Sequence, residues 1–201
     1  MILSHDGKDP QISRTAYIAP TATVCGDVRI GPGSRVMFGS SVIAEGREIV
    51  IGRDCIVMEG AVVRSTDRYP THIGSYSLIG PSAHVVGCRI DACVFVATGA
   101  VVFHGAKLGF GSEVQVGGVV HLRTVLARGG VVPIGWVAVG NPAKILPPGQ
   151  HDQIWAAQEP LNFPRYVYGV ERSTKGRTNM KEITRRRSAA LWRHRKDQVV
   201  G

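Results

Sequence analysis

Aromatic residues are scarce: they make up 6% of the chain although 44% of it is hydrophobic, so any core must be aliphatic. No stretch approaches the ~18 consecutive apolar residues that a membrane-spanning helix requires. The first ten residues have no apolar run, and Asp6 and Asp9 are acidic, so neither a secretory signal nor a transit peptide is expected. The four cysteines (Cys25, Cys55, Cys88 and Cys93) form no C-x-x-C pair, which removes the usual basis for a cysteine-cluster zinc site. A reducing cytoplasm is the expected location. Glycine is abundant at 25 residues, yet the Gly-X-Y period of collagen is missing. Acidic residues are rare only near the C-terminus. Residues 1–164 hold thirteen Lys/Arg against twelve Asp/Glu, and residues 165–201 hold eleven against three. The net charge of +9 therefore belongs to the tail and says little about the main body.

What the sequence does contain is a period. From Ile12 an aliphatic residue recurs every six positions through Ile18, Val24, Ile30, Val36 and Val42. The pattern resumes after three extra residues at Ile51 and after four extra at Ile73. It loses one residue between Val85 and Ile90, then runs on to Val132. Four residues after the aliphatic position the side chain is usually small, as at Ala22, Ser34, Cys55, Ser77 and Ala100. Glycine often follows the aliphatic residue directly, as at Gly31, Gly52 and Gly74.

A period of six matches neither a helix nor a plain alternating strand. It predicts an all-β solenoid, a left-handed parallel β-helix of hexapeptide repeats whose three sides are short strands. The aliphatic residue points inward, and the glycine after it relieves the backbone at the corner. Twenty aliphatic positions at three per coil give six to seven coils. The expected division is a β-helix over 10–146 and a C-terminal extension over 147–201, with one or two helices and a basic tail.

Both insertions and the deletion fall after Val42, Val63 and Val85, all on the third side. Loops gathered on one edge of a solenoid commonly carry its binding surface, which points to Glu45–Glu48 and Ser65–His72. In the extension, HDQIWAAQ at 151–158 predicts a short helix, and Leu161–Tyr168 reads as an extended aromatic segment. A second helix is expected from about Asn179 to Asp197. Asn179 would cap it, and Ile183, Leu191 and Trp192 would dock it. Its charge suits an acidic partner. Nucleic acid is not favoured, since no aromatic platform or binding motif accompanies the charge.

Gly26–Pro32 (GDVRIGP), the Gly87-Cys88-Arg89-Ile90 step and Val139–Lys144 (VGNPAK) resemble segments of the γ-class carbonic anhydrase-like family. The last of these is shared with hexapeptide acyltransferases. The resemblance covers roughly residues 10–150 and extends to the places of both insertions. It implies a trimer in which zinc, held by three histidines, sits between neighbouring subunits and activates water for attack on carbon dioxide. The three histidine positions fall here on Arg64, Pro81 and Val86, none of which ligates zinc at neutral pH. His84 lies two residues from Val86, which in a strand is ~6.6 Å. Zinc distances tolerate only ~0.2 Å.

The expectation is thus a trimer without the zinc hydratase centre, acting as a scaffold or binding protein with no cofactor. A homotrimer is expected, with a mixed trimer of related chains as the variant. Two alternatives stay open. In one, a hexapeptide-type acyltransferase uses His104 or His121 as general base at a subunit interface, with acyl-CoA as cofactor. In the other, a divergent carbonic anhydrase holds zinc through unfamiliar ligands such as His84. Glu45, Arg64, Arg68 and His84 are the polar interface candidates. An inter-subunit salt-bridge network is the expected role of Arg64 and Arg68. Cys88 and Cys93 are expected to be small, buried and reduced.

Overall fold

The computed structural model describes residues 1–174 and 176–201. The inward aliphatic positions stack rung on rung. Ile12, Ile30, Ile51, Ile73, Ile90, Leu108 and Leu126 align along the first side. Ile18 to Val132 align along the second. Val24, Val42, Val63, Val85, Val102, Val120 and Ala138 align along the third. Nearly all are fully buried in one continuous core. The parallel pairing leaves each backbone group bonded to the coil above or below, so no coil stands alone.

The first and second sides are seven-stranded sheets, and the third has ten strands. The extra strands lie beyond the twenty aliphatic positions. Ile2–Ser4 adds a parallel rung before them, and Val137–Val139 adds one after them. The third side therefore has eight parallel rungs, more than the six to seven coils that the aliphatic positions predict. Antiparallel strands then close both edges of this sheet. Lys144–Leu146 folds back on Val137–Val139, and Gln198–Val199 pairs with Ile2–Ser4. The edges that remain on this sheet are the short strands Lys144–Leu146 and Gln198–Val199, and short edges template pairing poorly.

The small residues face inward at the corners. Where they are serines, the hydroxyl joins neighbouring coils. Ser34 Oγ donates to the Gly52 carbonyl at 2.8 Å and accepts from the Cys55 amide at 3.0 Å.

The glycines play a different role from the one expected. Gly31, Gly52 and Gly74 have no positive φ. A Cβ at Gly74 would lie 2.5 Å from the backbone of Asp91 and Ala92 on the next coil. These glycines permit close stacking of corners. The left-handed turn residue sits two positions later, and it is Gly33, Asp54, Tyr76 or Cys93 according to the coil. That position leaves Cys93 exposed, against the expectation that it is buried, whereas Cys88 is buried and free as expected.

The extension forms helices α1 (His151–Gln158), α2 (Phe163–Tyr168) and α3 (Met180–Leu191), followed by a 3-10 turn over Trp192–Lys196. Among the described residues, no helix is long and apolar enough to cross a membrane. The 161–168 segment is helical rather than extended. Asn162 caps α2 through the Arg165 amide, Pro164 sits in the first turn where it lacks no needed donor, and Gly169 ends the helix at φ 68°. Asn179 does not cap α3 with its side chain, which donates instead to the Glu171 carbonyl. Of the three expected docking residues only Ile183 is buried. Leu191 and Trp192 are 42% and 63% exposed, so α3 is held mainly by other means.

The stacking role of Gly74 is directly testable. Gly74→Ala is expected to destabilise the fold by ~1–3 kcal/mol through overpacking. Gly149→Ala, with open space around it, should stay within ~0.5 kcal/mol. Urea denaturation of the two variants against the parent checks both.

Candidate functional site

The inserted loops leave the third side together and stack. Ser41–Ala44 and Val62–Ser65 are in register, and the Ser65 hydroxyl donates to the Arg47 carbonyl. Thr71 Oγ1 donates to the Arg64 carbonyl and accepts from the Gly87 amide at 2.8 Å, which ties the second loop to the deletion site. Gly87 must be glycine there. Its φ is 56°, and a Cβ would come within 2.7 Å of Tyr69.

On the outer surface of this side, Cys25, Ile43, Arg64 and Val86 occupy one column, in that order along successive rungs. Phe103 and His121 continue it. Beside the column a cleft of about 400 Å³ opens towards α2 and α3. Glu45, Arg64, Arg68, His84, Val86 and His104 all line it, so most of the candidate residues of the third side meet at one cleft. His121 and Pro81 do not reach it.

Glu45 organises the ionic part. Its side chain is 8% exposed and accepts from Arg64 Nη2 and, at 3.3 Å, from both terminal nitrogens of Arg187 on α3. Arg193 donates to the Glu45 backbone carbonyl at 2.7 Å, to Asp67 at 3.1 Å and to Asp6 at 3.0 Å. A buried carboxylate needs such partners, because an unpaired one would be strongly penalised. These contacts of Arg64, Arg187 and Arg193 are all formed within the chain. They dock the basic α3 on the acidic loop. Arg68 has no carboxylate within 4.0 Å among the described residues.

The apolar part is made by α2. Phe163 meets Phe103 edge-on with ring centroids 5.8 Å apart, and Phe103 meets His121 at 5.6 Å. Tyr166 stacks on Tyr69 at 5.2 Å, and Tyr69 meets His104 at 6.0 Å. His104 and His121 are both 7% exposed, with Nδ1 atoms that are buried and lack hydrogen-bond partners. Burial drives the His104 pKa down to about 4, helped by the positive charges nearby at His84, Arg187 and Arg64. Burial alone takes His121 to about 4. His84 is shifted down as well, first by burial and then by Arg64.

Among the described residues, one group of three or more His, Cys, Asp or Glu side chains lies close enough to share an ion: His5, Cys25, His194 and Asp197. It includes none of His84, His104 and His121. Sequence reasoning missed this group and the two arginines, Arg187 and Arg193, that meet the loop. None of these residues belongs to a spacing pattern, and only the folded tail brings them to the first rungs.

The two buried histidines set a pH dependence. Their folded pKa values, about 4, lie below the unfolded ~6.5, so the unfolded chain takes up protons first as pH falls. Their stabilising effect is complete above pH ~6.5 and is lost on descending towards pH ~4, each histidine contributing on the order of 3 kcal/mol. Urea midpoints between pH 7 and 4 should fall accordingly. The fall should be shallower in the His104→Gln, His121→Gln double variant.

No family model matches the sequence. Over 145 residues the chain is 30% identical to "Gamma carbonic anhydrase 2, mitochondrial" of Arabidopsis thaliana, covering 69% of this chain and 50% of that protein. It is 25% identical over 111 residues to a carbonic anhydrase of Geobacillus kaustophilus, covering 55% and 61% of the two chains. The chain spans about half the length of the curated relatives it matches. Among solved structures, a candidate acetyltransferase from Bacillus cereus aligns with a TM-score of 0.58 at 20% identity, covering 96% of this chain and 93% of that one, a likeness of fold. By its repeat, its register and these relatives, the chain is a hexapeptide-repeat, left-handed β-helix protein similar to the γ-class carbonic anhydrases.

Proposed function

We propose that this chain is a γ-carbonic-anhydrase-like trimer that lacks the family's zinc hydratase centre and serves as a scaffold or binding protein. The observation that carries the reading is the Arg64–Glu45 ion pair beside buried Val86, at two of the positions where the family resemblance implies metal-binding histidines. A guanidinium committed to a carboxylate, an aliphatic side chain and the ring of Pro81 supply no donor for zinc. Within this chain no cluster of metal donors among the described residues contains His84. The cleft between the third side and α2–α3 is the proposed binding surface. The unpaired Arg68 and the other arginines at its rim suit an acidic partner.

The acyltransferase reading has less physical support. A general base works best with a pKa near the working pH, whereas His104 and His121 are depressed to about 4. With no carboxylate hydrogen-bonded to either ring to raise its basicity, acyl-CoA has no evident base to use.

Within the chain Val86 is already buried and Phe103 packs on Phe163, so neither needs a neighbour to cover it. Among the exposed apolar side chains, Val116 and Ile134 are 50% and 67% exposed and follow one another at the corner after the second side. A second copy of the chain is the proposed cover for it, and a related chain is the variant. Three buried free cysteines suit a reducing compartment, with the cytoplasm as the proposed one.

Stopped-flow hydration of carbon dioxide by protein of measured zinc content tests the main claim. No acceleration over the buffer rate is expected at any zinc loading. Zinc-dependent hydration abolished by His84→Ala would overturn the proposal. Light scattering should give a particle of three chains. A monomer would remove the trimer from the reading.

A further inference from the structure

The first rung of the third side carries a cluster that the family centre does not account for. His5 is presented by a tight hairpin in which His5 and Lys8 exchange backbone hydrogen bonds at 3.0 Å around Asp6 and Gly7, both at positive φ. Cys25 ends strand Thr23–Cys25, 2% exposed, beside the left-handed Gly26. His194 and Asp197 come from the far end of the chain. The 3-10 turn places them three residues apart on one face, and the pairing of Gln198–Val199 with Ile2–Ser4 holds that face against the hairpin.

The geometry points to a zinc-type divalent cation bound by His5, Cys25, His194 and Asp197, which pins the C-terminal tail to the first rung. One donor atom from each lies within 4.8 Å of all the others. Asp197 Oδ1 is 2.6 Å from His5 Nδ1, and Asp197 Oδ2 is 2.8 Å from His194 Nδ1 and 3.4 Å from Cys25 Sγ. Two imidazole nitrogens, one sulfur and one carboxylate oxygen are the donor set of a tetrahedral zinc ion. Calcium and magnesium take oxygen donors instead and would not select a thiol.

The outer ring of groups agrees. A ligating histidine normally directs its second ring nitrogen at a carboxylate or carbonyl, which fixes its tautomer. Here each second nitrogen faces a carboxylate, though beyond hydrogen-bonding distance. His5 Nε2 is 3.6 Å from Asp6 Oδ2, and His194 Nε2 is 3.8 Å from Glu45 Oε1. Hydrogen bonding to Asp197 alone would account for the inner contacts, but it leaves His5 Nε2 buried without a hydrogen-bond partner on a residue only 4% exposed. With Nδ1 on the ion, Nε2–H becomes a fixed donor facing Asp6.

This site is separate from the family's interfacial one. All four ligands come from a single chain, and Cys25 lies two rungs before Arg64 in its column, ~9.6 Å at ordinary strand spacing. Four protein ligands complete a tetrahedron and leave no position for a reacting water, so the ion is structural. Zinc content and hydratase activity are therefore independent measurements on this protein.

The test is metal analysis of the full-length chain after exposure to zinc and removal of the excess, with cobalt as a spectroscopic stand-in. One zinc per chain is expected. The cobalt form should show tetrahedral visible bands and a thiolate charge-transfer band. Cys25→Ser should abolish the charge-transfer band, and the His194→Gln, Asp197→Asn double variant should not retain metal. Asp6→Asn, which alters the carboxylate facing His5 Nε2 and also the one paired with Arg193, should weaken binding ~10–100-fold. Hydrogen exchange at residues 198–199 should rise when a chelator strips the parent protein, a readout independent of whether any variant folds. Failure of the parent to retain zinc would overturn the assignment. So would zinc retained undiminished by the His194→Gln, Asp197→Asn variant, or zinc lost only on His84→Ala.

Discussion

A stacked coil can hydrogen-bond to its neighbour only if it returns in register, and that requirement governs the rest of this molecule. Each of the three sides therefore repeats the same demands: an aliphatic residue inward, a small one beside it, and a turn residue tolerant of positive φ. Residues in excess of eighteen cannot stay in the wall. They leave where the wall can best spare them, and here both insertions leave from the third side, one above the other. The stacking that makes the wall regular is thus also what gathers Glu45, Arg64, Asp67 and Tyr69 on one edge.

Charge takes over where stacking ends. The solenoid body is nearly neutral and the tail strongly basic, and the acidic first loop meets the tail through Arg187 and Arg193. Glu45 is the deepest of these acidic groups, so its burial and the docking of α3 depend on each other. An isolated buried carboxylate would be costly, and α3 buries only Ile183 for its own part. The aromatic helix α2 completes the cover over Phe103. As a result, part of the face that the resemblance assigns to a neighbouring subunit is occupied by the chain's own extension.

The solenoid was legible because every interior position answers to the same chemistry, so the pattern survives two insertions and a deletion. The third-side corner was legible for the same reason: an interruption stands out against a strict period. The glycines after the aliphatic residues were visible but misread, since the sequence does not distinguish a glycine needed for φ from one needed for close approach. At Asn162-Phe163-Pro164 the cap and first-turn proline were present, and the aromatic run concealed them. His5, Cys25, His194 and Asp197 left no trace, because nothing local links residue 5 to residue 197. Their meeting is set by the antiparallel strand that closes the sheet.

That closing strand also orders events in time. Ile2–Ser4 precedes every coil in the sequence, yet one of its edges finds its partner only at residues 198 and 199. Coils can add one after another on the opposite edge as synthesis proceeds, each needing only the coil before it. Through all of that period the starting edge stays open, with unpaired amides and carbonyls and the His5 hairpin bare beside it. The β-helix can thus grow in one direction from an unfinished end, which Gln198–Val199 seals only after the coils between have been made.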